Sequence, residues 1–498
     1  MNKYLQLKKK ELIKKLQEYK KPIVGIGVTA FNRLGPSFFL PNYQIICYKN
    51  SSDLDWIVKK GFKVLSIQKD FPTQDLKKFN TLEILKHKQV QDYLKYLGET
   101  KVLIYRTSEE IDKTINKLGL SIIANSEPIR QIYEDKKKFR EISNEIGLEL
   151  IPGETLRLES LNKKKWEQLM KKYDRQLVFQ LTEYDKGGGK GTFFINNEKD
   201  FRFFWKAVKN ETRKLNWVNV AKFIKGLSPS ITGCVTKYGI LCGLVQTQIL
   251  DIPEVKTTDR SGVFCGHDWS FCHYPENIQS QAEKICVKLG EYMAKHKYKG
   301  VYGLDLIIDK ETSKVYPVEC NPRYTGAFPV YSMMQESNGE IPLDVFQLLE
   351  FLNIDYKIDI KKVNSSWKIA KQGAHLVLSN PFPYHWVRVK GKLSAGIYKF
   401  RDNKVNFIGK GFSYLDIQKK EEFVFTDGCP RKGDYLKPGW RCGKLIFKRK
   451  ILNDDGKLMP EIKLIIKKIY KDLQIEKLER APIWQPKKKN WIFSSLNK

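Results

Sequence analysis

Residues 301–328, VYGLDLIIDKETSKVYPVECNPRYTGAF, constrain the fold of this chain more than any other stretch. Two apolar runs flank the polar turn Asp309-Lys310-Glu311-Thr312-Ser313, the pattern of a β-hairpin. The first run carries a single acid, Asp305, among Leu304, Leu306, Ile307 and Ile308, and the second leads into Glu319, Asn321 and Arg323. An acid inside an apolar strand is costly unless it is paired or bound to a cation. Glu319 and Asn321 are two residues apart and point to one face, where they can meet Asp305 from the neighbouring strand. Oxygen ligands without His or thiol suit Mg²⁺ or Mn²⁺ bridging phosphates. The alternative is a hairpin with a surface Asp and a solvated Glu-Asn-Arg end.

The rest of the chain narrows the setting. Its 498 residues are enough for about three domains, and a 41% hydrophobic content argues against disorder. No apolar run approaches the ~18 residues of a membrane span. Residues 1–21 read as a Lys-rich amphipathic helix, with Leu5, Leu12, Ile13 and Leu16 on one side, and not as a secretory signal. The nine cysteines are too few for a disulfide framework in a chain this long, so a cytoplasmic, reducing location is expected. The net charge of +33 leaves acidic substrates, anionic lipid and nucleic acid open. It is mostly dispersed lysine with no arginine-rich cluster, which disfavours nucleic acid as the main partner.

Residues 22–125 alternate short apolar runs (23–28, 44–48, 63–67, 102–105 and 121–124) with helical stretches, predicting a mostly parallel sheet. Gly25-Ile26-Gly27-Val28-Thr29-Ala30 fits a dinucleotide-loop pattern formally, but no acid follows the second run. The glycines are read instead as allowing a tight turn near a ligand. Arg106, after a strand, is a candidate anion contact. Next, Asp135-Lys136 opens a helix with apolar Phe139, Ile142 and Ile146 that stops at Gly147 before Ile151-Pro152. A strand at 177–181 is followed by Lys186-Gly187-Gly188-Gly189-Lys190-Gly191-Thr192 and a second strand at 193–195. A glycine loop between two strands is not a Walker A, which needs a helix after it. Its bare N–H groups can fold over a triphosphate.

This order (Asp-Lys at a helix start, a glycine loop between strands, then G-x-D and E-x-N-x-R on a hairpin) resembles the ATP-grasp superfamily. The resemblance implies an α/β ATP-grasp fold: a Rossmann-like N-terminal domain (1–125), a two-lobed body (126–345) and a β-rich C-terminal domain (346–498) with a terminal helix and basic tail. The glycine-lid lobe is expected at about 150–225 and the metal lobe at about 226–345. Asp305, Glu319 and Asn321 would hold Mg²⁺ (or Mn²⁺) on ATP. Lys136, Lys190, Gly187, Gly188, Gly189 and Gly191 would hold phosphates. Gln180 stands where the family usually has a second phosphate-binding lysine and supplies no charge. Residues 217–226 resemble the hinge whose backbone reads adenine, here through Lys222, Phe223 and Ile224, with Ala221 where an acid is usual. Arg323, with Lys136 and Lys190, would serve the transferred phosphoryl group.

The activity implied is an ADP-forming ligase that activates a carboxylate as an acyl phosphate and joins it to an amine or similar nucleophile. Both substrates would be small molecules, and the charge permits acidic ones. A weaker likeness to biotin carboxylase in the C-terminal region (Gln372-Gly373-Ala374-His375) keeps bicarbonate phosphorylation as an alternative. A weakly catalytic ATP-binding module and a basic nucleic-acid protein are the others. Oligomeric state is left open. Residues 261–269 read as a substrate-side loop, residues 241–250 as one strand and 281–297 as an amphipathic helix whose apolar stripe extends to His296. Cys265, His267, Cys272 and His273 match no zinc spacing.

Overall fold

The computed structural model describes residues 3–72, 79–183, 191–211, 215–256, 261–271 and 274–482. The N-terminal alternation folds as expected. Its five parallel strands run in the spatial order Lys63–Ser66, Tyr43–Cys47, Ile23–Gly27, Lys101–Leu103 and Ser121–Ile122. The first helix, Lys3–Glu18, buries Leu5, Leu12 and Leu16. The glycines of Ile23–Gly27 do not form a ligand turn. They lie within the strand and make room for neighbours: a Cβ on Gly27 would stand 2.6 Å from the Arg33 Cζ, and one on Gly25 would collide with the Tyr43 hydroxyl.

A four-stranded antiparallel sheet follows, ordered Gly153–Arg157, Trp217–Lys222, Leu177–Leu181 and Thr192–Ile195. Strand alternation puts Leu177, Phe179 and Leu181 into one core with Val218, Val220, Phe201 and Phe204. Gln180 pairs with Asn219, and Val178 with Ala221, on the opposite face.

The hairpin Gly300–Asp309 and Val315–Asn321 belongs to a twelve-stranded sheet. The helix Glu276–Lys295 packs Ala282, Ile285, Cys286, Leu289 and Met293 beneath it. His296 does not continue that stripe: it is exposed at the helix end, where its Nδ1 lies 2.8 Å from the Tyr292 carbonyl. Residues 241–250 form two strands, Gly239–Cys242 and Gln246–Leu250. Between them the Gln279 side chain accepts from the Val245 N–H (3.0 Å) and donates to the Gly243 carbonyl (3.3 Å), drawing the chain toward the helix.

The expected loop at 261–269 is another correction. Phe264–Asp268 is an interior strand, pairing with Gln246–Leu250 on one side and Ala374–Ser379 on the other. Through it the sheet runs unbroken from the hairpin into Arg441–Phe447, Glu422–Thr426, Gly396–Arg401 and Lys404–Gly409. The C-terminal region is therefore continuous with the lobe that carries the hairpin, and the helix Pro460–Leu473 covers its own core with Ile462, Ile465, Ile466 and Ile469. It also grips the N-terminal domain. Asp427 accepts from Thr29 and Asn32, both at 2.7 Å, and Arg431 forks onto Asp55 at 2.9 Å through both terminal nitrogens. No described helix is long and apolar enough to cross a membrane.

Candidate active site

The hairpin register sets Asp305 directly opposite Glu319 and Gly303 opposite Asn321, with an irregularity after Asp305. Three side chains hold Asp305 in place. Gln248 Nε2 donates to its Oδ1 (2.5 Å), Asn321 Nδ2 donates to its Oδ2 (3.1 Å), and Glu319 faces it across the strands. Burial, reinforced by the Glu319 charge, pushes the Asp305 carboxyl up to about 8. Burial acts on Glu319 in the same sense. It is outweighed by the Lys136 ammonium, 2.5 Å from Glu319 Oε2, so this carboxyl sits below its usual value. The two crowded carboxylates face the Lys136 ammonium and the Arg323 guanidinium.

Lys136 reaches Glu319 because Asp135 caps its helix. The Asp135 side chain accepts from the Lys138 N–H at 2.9 Å, so the helix Lys136–Glu145 starts at the cleft. Asn219 Nδ2 donates to the Lys136 carbonyl (3.1 Å), and Thr155 donates to Asn219 Oδ1 (2.7 Å). The face carrying Gln180, Asn219 and Ala221 therefore looks onto Lys136, whose ammonium in turn meets the hairpin acid Glu319. At the end of the strand Trp217–Lys222 the Lys222 N–H donates to the Pro152 carbonyl (2.8 Å), and the Phe223 N–H donates to the Gln176 carbonyl (2.9 Å). Pro152 has no N–H to return, so it leaves the Lys222 carbonyl without a donor from that partner. Phe223 packs edge-on against Phe194 at 5.9 Å. The Lys222 ammonium pairs with Asp174.

Arg323 links this centre to the helix Glu127–Glu134. Its Nη2 donates to Asn321 Oδ1 (2.9 Å) and its Nε to Glu134 Oε1 (3.1 Å). Arg106, expected as an anion contact, meets the carboxylate of Glu134 at 3.3 Å.

The structure thus brings together Lys136, Asp305, Glu319, Asn321 and Arg323, and Gln180 pairs with Asn219, whose side chain meets Lys136. Gly191 closes the base of the glycine hairpin, its carbonyl accepting from the Leu181 N–H at 2.9 Å. Gly187, Gly188, Gly189 and Lys190 lie outside the described residues, as do Cys272 and His273. Sequence reasoning missed Gln248, which steadies Asp305, and Glu134, which gathers the arginines. Each had a weak signal: Gln246-Thr247-Gln248 is a polar run inside a strand, and Glu134 stands immediately before Asp135-Lys136.

Among the described residues no group of three or more His, Cys, Asp and Glu is placed to hold a metal ion. Two acids and one amide cannot close a shell by themselves. Such a partial set fits Mg²⁺, which binds through one or two carboxylates and takes substrate phosphates for the rest.

A family model described as an ATP-grasp domain matches residues 181–327, from the strand before the glycine loop to just past Arg323. The chain carries an ATP-grasp domain. A curated relative, the [butirosin acyl-carrier protein]–L-glutamate ligase of Niallia circulans, is 30% identical over 190 residues. That match spans 35% of this chain and 41% of the relative, less than half its length. Among solved structures, the biotin carboxylase–β,γ-ATP complex from Campylobacter jejuni has a TM-score of 0.59 at 13% identity, covering 92% of both chains. The biotin carboxylase domain of Hydrogenobacter thermophilus 2-oxoglutarate carboxylase, with MgADP, ADP and bicarbonate, has a TM-score of 0.56 at 13% identity, covering 86% of both chains. At these identities the likeness is one of fold. Its 92% coverage requires that most of the C-terminal region be included, so the weak C-terminal likeness read from sequence extends to architecture.

Proposed function

We propose that the chain is an ATP-dependent, ADP-forming ligase that activates a carboxylate as an acyl phosphate and passes it to an amine or related nucleophile. The observation that carries this reading is the convergence of Lys136 with Asp305, Glu319, Asn321 and Arg323, the last four inside the stretch that matches an ATP-grasp domain. The similarity to a relative named as a glutamate ligase supports the ligase class, with its acceptor and acid left open.

Phosphoryl transfer of this kind asks the protein for alignment and charge neutralisation. Asp305, Glu319 and Asn321 would hold Mg²⁺, or Mn²⁺, which supplies charge neutralisation at the phosphate oxygens. The Lys222 carbonyl and Ile224 N–H are the hinge groups offered to the adenine edge. Lys136 exchanges Glu319 for phosphate oxygens when the nucleotide enters. The substrate carboxylate oxygen attacks the γ-phosphorus as the bond to the ADP oxygen breaks. Arg323 steadies the acyl phosphate from the side of the N-terminal domain. The nucleophile then adds to the acyl carbon, loses its proton and expels inorganic phosphate. Gln180 contributes a neutral hydrogen bond where a lysine would contribute charge. Lys190 and the glycines at 187–191 would close over the phosphates. On this reading the boundaries near 125 and 345 separate a substrate-side domain, the nucleotide-binding body and a C-terminal part that braces both. The substrates are small molecules and the setting is cytoplasmic.

The test is an incubation with MgATP, hydroxylamine and a panel of carboxylic acids. Stoichiometric hydroxamate and ADP with the native chain, and neither with Glu319→Gln, is the expected result. ADP release equal in the two proteins would overturn the assignment. The fold likeness to biotin carboxylases favours one second reading, bicarbonate phosphorylation. It requires ADP release that depends on bicarbonate and rises with free biotin.

A further inference from the structure

Lys444 is a buried cation that the phosphoryl transfer described above does not use. It lies on the strand Arg441–Phe447, opposite Thr426, with 1% of its side chain exposed. Its ammonium reaches two oxygens, both at 3.2 Å: the Asp427 carboxylate and the carbonyl of Gly326. It also stands 5.1 Å from the centre of the Phe31 ring. Asp427 in turn accepts from Thr29 and Asn32, both at 2.7 Å. The other charges around the pair are the guanidiniums of Arg441 and Arg33 and the buried carboxyl of Asp53. His267 and His375 lie within reach of the Lys444 charge, and burial keeps both neutral. A buried ion pair often contributes no more stability than packed apolar residues of the same size. What apolar residues cannot supply is the hydrogen bond to Gly326.

Gly326 belongs to the segment 322–327, which joins the hairpin to the helix Phe328–Ser337 and carries Arg323. The Arg323 guanidinium leans on the backbone of that same segment, its Nη1 donating to the Tyr324 carbonyl at 3.2 Å. The segment is held from several sides. The Tyr324 ring stacks at 4.5 Å on Tyr105, just past the strand Lys101–Leu103, and the Tyr324 hydroxyl donates to Asp344 at 2.8 Å. A Cβ on Gly326 would meet nothing within 4 Å, so the backbone there borders open space on that side. From the C-terminal region, Lys444 is the side chain that takes hold of it.

We propose that Lys444 is a positioning residue for the acyl-phosphate step: it pins the Gly326 carbonyl and so sets where Arg323 meets the transferred group. The inference rests on the ligase reading and gives the C-terminal region a share in that step.

The experiment compares the native full chain with Asp427→Asn and with the double variant Asp427→Asn/Lys444→Met. Both variants lose the ion pair, but only the double variant loses the donor to Gly326. Removing the lone buried cation makes the double variant the more stable of the two in urea, so a purely structural role would make it the more active. Positioning reverses that order. At saturating MgATP, the carboxylic acid that the native chain converts fastest to its hydroxamate should be turned over about tenfold or more slowly by the double variant than by Asp427→Asn. Affinity for a non-hydrolysable ATP analogue, measured by calorimetry, should be the same in all three. A second readout needs no substrate. In protein carrying isotopically labelled arginine, the Arg323 Nε–H resonance, assigned by its absence from Arg323→Lys, should move in the double variant and stay in place in Asp427→Asn. Turnover that follows the urea midpoint, a loss of analogue affinity that accounts for the slower turnover, or an Arg323 resonance unmoved in the double variant would each overturn the proposal. If Asp427→Asn does not fold, the double variant is read against the native chain, where an unmoved resonance or unchanged turnover overturns it in the same way. No hydroxamate from any acid with the native chain would reject the ligase reading, while a resonance that moves in the double variant would keep Lys444 as the residue that sets Arg323.

Discussion

Acidification should weaken the sheet that joins the hairpin lobe to the C-terminal region, because that sheet buries two uncharged histidines side by side. His267 and His375 are cross-strand partners with ring centroids 5.5 Å apart, packed against Trp269. His267 Nε2 lies 3.2 Å from the Ser230 hydroxyl, and neither ring nitrogen of His375 has a partner. Burial, followed by the nearby Lys444 charge, moves His267 from 6.5 to about 3 and drives His375 in the same direction. A depressed histidine is neutral in the folded state and protonates first in the unfolded one. Its stabilisation is complete above pH 6.5 and is lost as pH falls from there toward the folded value. At about 1.4 kcal/mol per unit, the roughly 1.5 units between 6.5 and pH 5.0 cost about 2 kcal/mol through His267 alone. Urea unfolding followed by circular dichroism at pH 7.5 and 5.0 measures the loss, and comparison with His267→Gln isolates this residue. The variant should lose about 2 kcal/mol less than the native chain over that interval. Equal losses in the two proteins would refute the argument.

Three further outcomes follow from the same geometry. The Lys444–Asp427 pair, at 3.2 Å and only 1% and 3% exposed, should cost about 3–5 kcal/mol on Asp427→Asn, read as a lower urea midpoint; adding Lys444→Met should restore part of it. Lys136→Met should weaken binding of a non-hydrolysable ATP analogue by about tenfold or more in a titration, through loss of a charged phosphate contact. Phe204→Ala, which empties a fully buried ring site against Phe179 and Phe193, should destabilise the glycine-side lobe by about 3–5 kcal/mol, measured by thermal unfolding and protease susceptibility.

Much of the site was legible because its signals are local. The Asp305–Glu319–Asn321 set follows from a two-residue period around one turn, whereas Lys136 is picked out only by the resemblance of its stretch to the ATP-grasp entry motif. The parallel N-terminal sheet follows from regular alternation of apolar and polar runs. What escaped reading is non-local. Phe264-Cys265-Gly266-His267-Asp268 looks like a loop because its Gly, His and Asp are poor strand formers in isolation. It is a strand because distant partners satisfy those groups: Asp268 Oδ2 accepts from the N–H groups of Ile451 (2.8 Å) and Leu452 (3.1 Å), and His375 packs on His267. The union of the metal-side lobe with the C-terminal region runs through that strand, so it was equally hidden. Glu134 stands one helical turn from Arg130, and only folding adds Arg106 and Arg323 to it. Gly25 and Gly27 suggested a ligand loop, whereas the space they leave belongs to Tyr43 and Arg33.

The most direct test of the account is product formation from an unbiased substrate pool. A cell metabolite extract is incubated with MgATP and either the native chain or Glu319→Gln, and the two are compared by untargeted mass spectrometry. The account predicts a new mass equal to two metabolites less one water, matched by an equal amount of ADP and seen only with the native chain. The same mass and the same ADP release from Glu319→Gln would contradict it.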